Sequence, residues 1–237
     1  YSYVKNPFTP EAEFDFELFK QHVQKGQKLM DDLIDLEMEK IERILAKIES
    51  DPEPEGIKRT EKELWLNIKM KCLEGRRTGF GITAEGDMLA AMGLTYGTDE
   101  ATAFAVEVQK TLACSAYRSS ALMARDRGAF PIYDYKLEEN NPFIQRLKSA
   151  DEELYSLMKQ YGRRNIALLT IAPTGSVSIC TQTSSGIEPA FLVSYRRRRK
   201  VNPNDSEATI SFTDDEGQAW EEYNVLHHKF AVWAEIN

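Results

Sequence analysis

Apolar residues return every three or four positions through residues 15–50: Met30, Leu33, Ile34, Met38, Ile41, Leu45 and Ile48 share one helical face. Asp15 stands where a side chain can accept the first free amide, so a long helix is predicted from there to Ser50. The two prolines of "DPEPEG" (51–56) cannot continue it. "TEKE" (60–63) has capping-box spacing and predicts the start of a second helix, with Gly75 as its stop. A short strand at about 77–83 and a small helix to Met92 follow. Thr98, with Asp99 and Glu100 behind it, predicts another long helix whose positive end the acids complement; it runs to about Arg127 and stops at Gly128. Its middle, "ACSAYRSSA" (113–121), is rich in small residues, which lets a neighbouring element approach closely.

"GAFPIYDY" (128–135) reads as a strand bent at Pro131. Asn141 and Pro142 form an N-cap and first-turn pair, and two shorter helices lead to Gly162. Residues 166–171 are an apolar run of strand length, and residues 191–195 are apolar enough for another strand. "RRRRK" (196–200) and a polar loop follow, then a terminal helix from about Gln218. Long helices alternating with short strands predict an α/β architecture with parallel strands. The strands are few for a closed barrel. We expect one domain over 1–237: mostly helical in 1–75, strand and helix in 76–200, loop and terminal helix in 201–237. No internal repeat is visible.

Composition narrows the partners. The formal net charge of −8 and a pI of about 5.1 argue against general nucleic-acid or anionic-membrane binding. No apolar run approaches the roughly 18 residues of a membrane span, and no N-terminal basic-then-apolar signal is present. The chain opens on Tyr1 and stops inside a predicted helix, so an excised piece of a larger protein is expected. Three widely spaced cysteines, Cys72, Cys114 and Cys180, suit a reducing compartment, hence the cytoplasm. His22, His227 and His228 form no spaced ligand set, so no metal site is expected.

The candidate chemistry begins at "APTGSVS" (172–178), directly after an apolar run. Pro173 stops the strand, Gly175 lets backbone come close to a ligand, and Thr174 and Ser176 offer hydroxyls and amides. A helix starting there would aim free N–H groups at one anion, most simply a phosphate. A plain strand-to-helix turn uses the same residue types. "TSSGIEP" (183–189) continues the uncharged wall up to Glu188, which is either a backbone partner or a site residue. Gly79, Gly81 and Gly86 miss dinucleotide-binding spacing, so the glycines around Phe80 are read as room for a neighbouring strand. The arginines of 196–200 are read as alternating along a strand, partly paired with carboxylates; a nucleic-acid patch or phosphate clamp is the alternative.

Three segments together, "GRRTGFGITAEGDMLAAMGLTYGTDEA" (75–101), "YRSSALMARDRGAFPIYD" (117–134) and "NIALLTIAPTGSVSICTQTSSGIEPAF" (165–191), resemble the catalytic subunit of ribonucleotide reductases, most closely the adenosylcobalamin-dependent class. The resemblance implies part of a ten-stranded α/β barrel, incomplete here, in an enzyme of deoxyribonucleotide and DNA biosynthesis. It implies a cobalamin-derived radical that makes a cysteine thiyl, removal of the ribose 3′-hydrogen, loss of the 2′-hydroxyl as water, and reduction by a dithiol. Carried over, the family's substrate-phosphate segment falls on Pro173, Thr174, Gly175, Ser176 and Val177. The implied partners are a ribonucleotide substrate and a thioredoxin-type dithiol reductant, with the parent a homo-oligomer.

Departures from that pattern matter as much. The family's radical cysteine lies in an Asn-x-Cys-x-Glu loop; "KCLEG" puts Cys72 two before Glu74 but Met70 in place of the asparagine. No catalytic residue is therefore expected in this chain, and the adenosylcobalamin contacts are expected outside it. Cys114 is read as packing and Cys180 as a buried structural thiol. An iron-dependent reductase of the same family and a non-catalytic nucleotide-binding module remain alternatives.

Overall fold

The computed structural model describes residues 1–202, 204–205 and 207–237. In chain order the elements are β1 (Val4–Lys5), β2 (Glu13–Phe14), α1 (Phe16–Ser50), α2 (Glu55–Gly75), α3 (Glu85–Ala91), α4 (Asp99–Arg127), α5 (Tyr135–Glu138), α6 (Pro142–Ala150), α7 (Glu152–Tyr161), α8 (Gly175–Thr181), β3 (Ser194–Lys200), β4 (Phe212–Thr213), β5 (Ala219–Leu226) and α9 (His228–Ile236). They fall into two compact units. A helical unit comprises Phe14–Ile82 and Gly97–Ala172; a mixed unit comprises Tyr1–Glu13, Thr83–Tyr96 and Pro173–Asn237.

In the helical unit, helix ends follow local capping chemistry. The Asp15 carboxylate accepts the Leu18 N–H at 2.9 Å to open α1. Thr98, Asn141 and Asp151 do the same for α4, α6 and α7, and Gly128 and Gly162 close α4 and α7 at positive φ. The buried line of α1 runs Phe19, Val23, Gln27, Asp31, Ile34, Ile41, Ile48. Leu33, expected on that face, is 53% exposed, because one residue from Ile34 is a rotation of about 100°. The small residues of α4 receive α1: Ala116, Ser120 and Ala121 are fully buried, and Ser119 Oγ donates to Gln24 O at 2.8 Å.

The start of α2 departs from expectation. It begins at Glu55, inside "DPEPEG", and Thr60 is an interior residue whose hydroxyl bonds back to Gly56 O at 3.1 Å. Proline ends a preceding helix but does not obstruct one that starts just after it, where no amide partner is needed. Gly75 is the last helical residue; the left-handed turn falls on Arg76 (φ 44°). That backbone is held by a buried polar cluster. Arg76 pairs with Asp31 and Asp35 at 2.8 Å each, Asn165 donates to Asp31 at 2.8 Å, and Ser120 donates to Asn165 at 2.9 Å.

The expected strands at 77–83 and 166–171 are extended, adjacent and parallel, yet they share only one bridge, Phe80 to Leu169. Backbone bonds nonetheless run between them, from Thr78 N–H to Ala167 O at 2.9 Å, Phe80 N–H to Leu168 O at 2.7 Å and Thr170 N–H to Phe80 O at 3.0 Å, and the Thr78 hydroxyl adds to Ala167 O at 3.2 Å. The glycines flanking Phe80 permit the approach, since a Cβ on Gly81 would stand 2.1 Å from Thr170 O. Residues 128–135 form a turn instead of a strand: Phe130 N–H donates to Arg163 O, and Tyr133 N–H closes back on Phe130 O.

In the mixed unit the sheet order is β3-β5-β4, antiparallel throughout, where parallel pairing was expected. The terminal helix expected from Gln218 begins only at His228; residues 219–226 are β5 instead. Asp214 and Gly217 (φ 78°) close a hairpin, with Asp214 Oδ1 accepting the Gln218 N–H at 2.8 Å, and the chain returns as a strand against β3. The expected strand at 191–195 starts only at Ser194, leaving Phe191 exposed. The polar loop after Lys200 contains Pro203 and Ser206, which lie outside the described residues. No closed barrel is formed by the described residues, and no helix among them is long and apolar enough to cross a membrane.

Candidate functional site

Pro173, Thr174, Gly175, Ser176 and Val177 lie together at the entry of α8 in the mixed unit. Thr174 is the N-cap, with φ 48°, a left-handed conformation that costs a β-branched residue about 1–2 kcal/mol. Its side chain holds that backbone in place. The Gly186 N–H donates to Thr174 Oγ1 at 2.8 Å, and the Thr83 hydroxyl lies 2.8 Å away. Thr83 also donates to Ser184 O at 3.2 Å. The Thr174 hydroxyl is therefore committed within the protein, where the sequence suggested it was on offer to a ligand.

The amides behind it remain open. The first backbone bond of α8 runs from Ser178 N–H to Thr174 O at 2.8 Å, so Gly175, Ser176 and Val177 precede any helical acceptor. No hydrogen bond from those three amides is formed among the described residues. A Cβ on Gly175 would meet nothing within 4 Å, and Gly175 to Val177 are exposed. Three clustered donors at a helix start favour an anion chemically.

The wall following α8 is built by Asp87 and Ser184, which sequence reading missed. Asp87 Oδ2 accepts the Ser184 N–H at 2.7 Å, and Ser184 Oγ accepts the Asp87 N–H at 3.2 Å. The available signal was an acid in the first turn of a predicted helix and a serine in a hydroxyl-rich loop. Gly86 is required beside them, since a Cβ there would stand 2.5 Å from Pro189 Cα. Glu188 accepts its neighbour Ile187 N–H at 3.1 Å and is exposed, which makes it a backbone partner.

Other candidates resolve as follows. Arg196 and Arg198 share Glu222, and Arg199 pairs with Glu221 and Asp205, the alternation expected along β3. Burial pushes the Cys72 thiol up, helped by Glu37; burial also raises Cys114, with Asp151 adding to it. Cys180 is exposed on α8, which corrects the expectation of a buried thiol: the seven-residue helix presents that side to solvent. Asp31, Asp32 and Asp35 cluster closely enough to hold an ion, but Arg76, Arg127 and Arg164 already neutralise them.

The sequence model of one family, described as ribonucleotide reductase, barrel domain, matches residues 3–215. The vitamin B12-dependent ribonucleoside-diphosphate reductase of Mycobacterium tuberculosis is 29% identical over 123 residues, 52% of this chain and 15% of that protein. The protein of the same description from Thermoplasma acidophilum is 25% identical over 183 residues, 77% of this chain and 18% of that protein. A ribonucleoside-diphosphate reductase subunit alpha of Treponema pallidum is 27% identical over 128 residues, 53% of this chain and 15% of that protein. The chain thus spans under a fifth of the length of these relatives. With 213 of its 237 residues inside that match, this chain belongs to the ribonucleotide reductase barrel-domain family.

Proposed function

We propose that this chain forms part of a ribonucleotide reductase catalytic subunit and that Gly175, Ser176 and Val177, framed by Pro173 and Thr174, hold the substrate's phosphate. The observation that carries the reading is the set of three amides left without protein acceptors behind a strained, side-chain-locked Thr174. Backbone donors fixed in this way orient a polyanion without the rotamer freedom of lysines. The names of the relatives favour a ribonucleoside diphosphate over a triphosphate. A dithiol reductant and the reaction itself belong to the whole protein. Cytoplasmic residence and self-association are part of the same reading.

Relatives named as B12-dependent support adenosylcobalamin as the cofactor of the whole protein. Four of the cavities among the described residues, of 290 to 390 Å³, lie at the small end of ligand sites and are too small for a corrin ring. What the chain contributes is binding and orientation of the phosphate at a helix start.

Titration with a ribonucleoside diphosphate, followed by amide NMR, tests this. Shifts concentrated at Gly175, Ser176 and Val177 are expected. Saturable binding that leaves those three amides unmoved would remove the phosphate from this turn.

A further inference from the structure

β3 lies at the rim of the three-stranded sheet, since the order β3-β5-β4 gives it β5 on one side only. All seven of its residues are exposed. Its pairing with β5 is continuous from Ser194–Leu226 to Lys200–Trp220, without the bulge or proline that blunts many edge strands. In an antiparallel ladder, pairs that exchange backbone bonds alternate with pairs that turn theirs outward. The two ends of this ladder fix the phase: His227 N–H donates to Val193 O at 2.8 Å, and Val201 N–H to Ala219 O at 2.9 Å. Odd-numbered residues of β3 therefore bond to β5, and the N–H and C=O groups of Ser194, Arg196, Arg198 and Lys200 face the open edge. The Ser211 N–H agrees with this phase, reaching Trp220 O from the opposite side of β5 at 2.7 Å.

The side chains select the occupant. Arg196 and Arg198 share Glu222, Arg199 holds Glu221 and Asp205, and Arg197 forms no ion pair among the described residues. The five consecutive cations of 196–200 thus have three carboxylates within 4 Å. A second copy of β3 laid against this edge would set arginine opposite arginine, which like-charge repulsion disfavours. An acidic strand meets the opposite sign on both faces. We propose that the open edge of β3 takes an extended acidic peptide segment of a partner protein as a fourth strand. Main-chain bonds to Ser194, Arg196, Arg198 and Lys200 supply the pairing, and the arginines select for carboxylates. The site does not depend on the phosphate reading, since none of its residues belongs to the 173–177 turn.

The test titrates the 237-residue chain with a capped heptapeptide alternating Glu and Thr, its Lys counterpart, the Glu peptide N-methylated at every residue, and heptathymidylate, reading backbone amide resonances. The Glu peptide should bind at least tenfold more tightly than each of the other three, with the largest shifts at the amides of Ser194, Arg196, Arg198 and Lys200. Arg196→Pro removes an outward amide without touching a bond to β5, and Arg196→Gln removes the same charge but keeps that amide. The proline variant should bind the Glu peptide at least tenfold more weakly than the glutamine variant. No binding of the Glu peptide, equal binding of its N-methylated form or of heptathymidylate, or equal affinity in the two variants would overturn the proposal. The N-methylated peptide carries the test on the parent chain if Arg196→Pro does not fold.

Discussion

Two helices of the mixed unit begin alike and end up chemically opposite. α3 and α8 are seven residues long, and each follows a non-glycine residue in the left-handed region, Ala84 (φ 64°) and Thr174 (φ 48°). At α3 two of the free amides are taken up by the protein: Glu85 N–H reaches Gly186 O at 3.4 Å, and Asp87 N–H reaches Ser184 Oγ at 3.2 Å. At α8 the equivalent amides find no acceptor among the described residues. The 184–186 loop decides the difference, because it packs its acceptors against α3 and turns only the Gly186 amide toward Thr174. A helix start closed by its own chain is structure; one left open by a rigid neighbour is available for binding.

The fully closed extreme is the Asp31 cluster of the helical unit, and it sets the largest expected effect. Asp31→Ala strands the buried Arg76, so a loss of about 3–5 kcal/mol is expected in urea unfolding. Burial raises the Asp31 carboxyl, but the hydrogen bonds and charges of Arg76, Asn165 and Arg164 outweigh it and hold it below the ordinary value. Protons then bind the unfolded state first. The contribution is complete above the unfolded value of about 4 and is lost as pH falls through the lower folded value. Stability below about pH 4 should accordingly fall less steeply in Asp31→Asn than in the parent chain; identical acid limbs would contradict this.

Gly175→Asp separates open from closed most sharply. A carboxylate beside the three amides should weaken nucleotide binding on the order of a hundredfold, while the unfolding midpoint stays within about 0.5 kcal/mol because the site is exposed and uncrowded. Asp87→Ala should do the reverse, costing about 1.5–3 kcal/mol of stability by leaving the Ser184 amide without its charged acceptor. The smallest effect belongs to Thr174→Val, which keeps the shape but loses the hydroxyl that fixes the turn. About 1–2 kcal/mol is expected from chemical unfolding, with weaker nucleotide binding through looser amides. Tighter binding in this variant would mean that the locked turn opposes the ligand.

The long helices were legible because their ends are set within a few residues: Asp15, Thr98, Asn141 and Gly128 act on amides and carbonyls three or four positions away. Sheet structure was not. β5 carries Trp220, Tyr223 and Val225 without clean alternation, and its strand state depends on β3, twenty or more residues earlier, placing Arg198 and Arg199 opposite Glu222 and Glu221. The "DDEG" at 214–217 was the local signal of the hairpin, and it was read as loop.

By itself the sequence determined the capped helices, the small-residue face of α4, the glycine gaps around Phe80 and the uncharged turn at 173–177, since each follows from short-range sterics or a recognisable run of residues. Only tertiary structure decided that Thr174's hydroxyl is spent internally, that α3 is sealed while α8 is open, and that Asp87 meets Ser184. Those outcomes depend on where an acceptor distant in the chain comes to rest, and no local pattern encodes that distance.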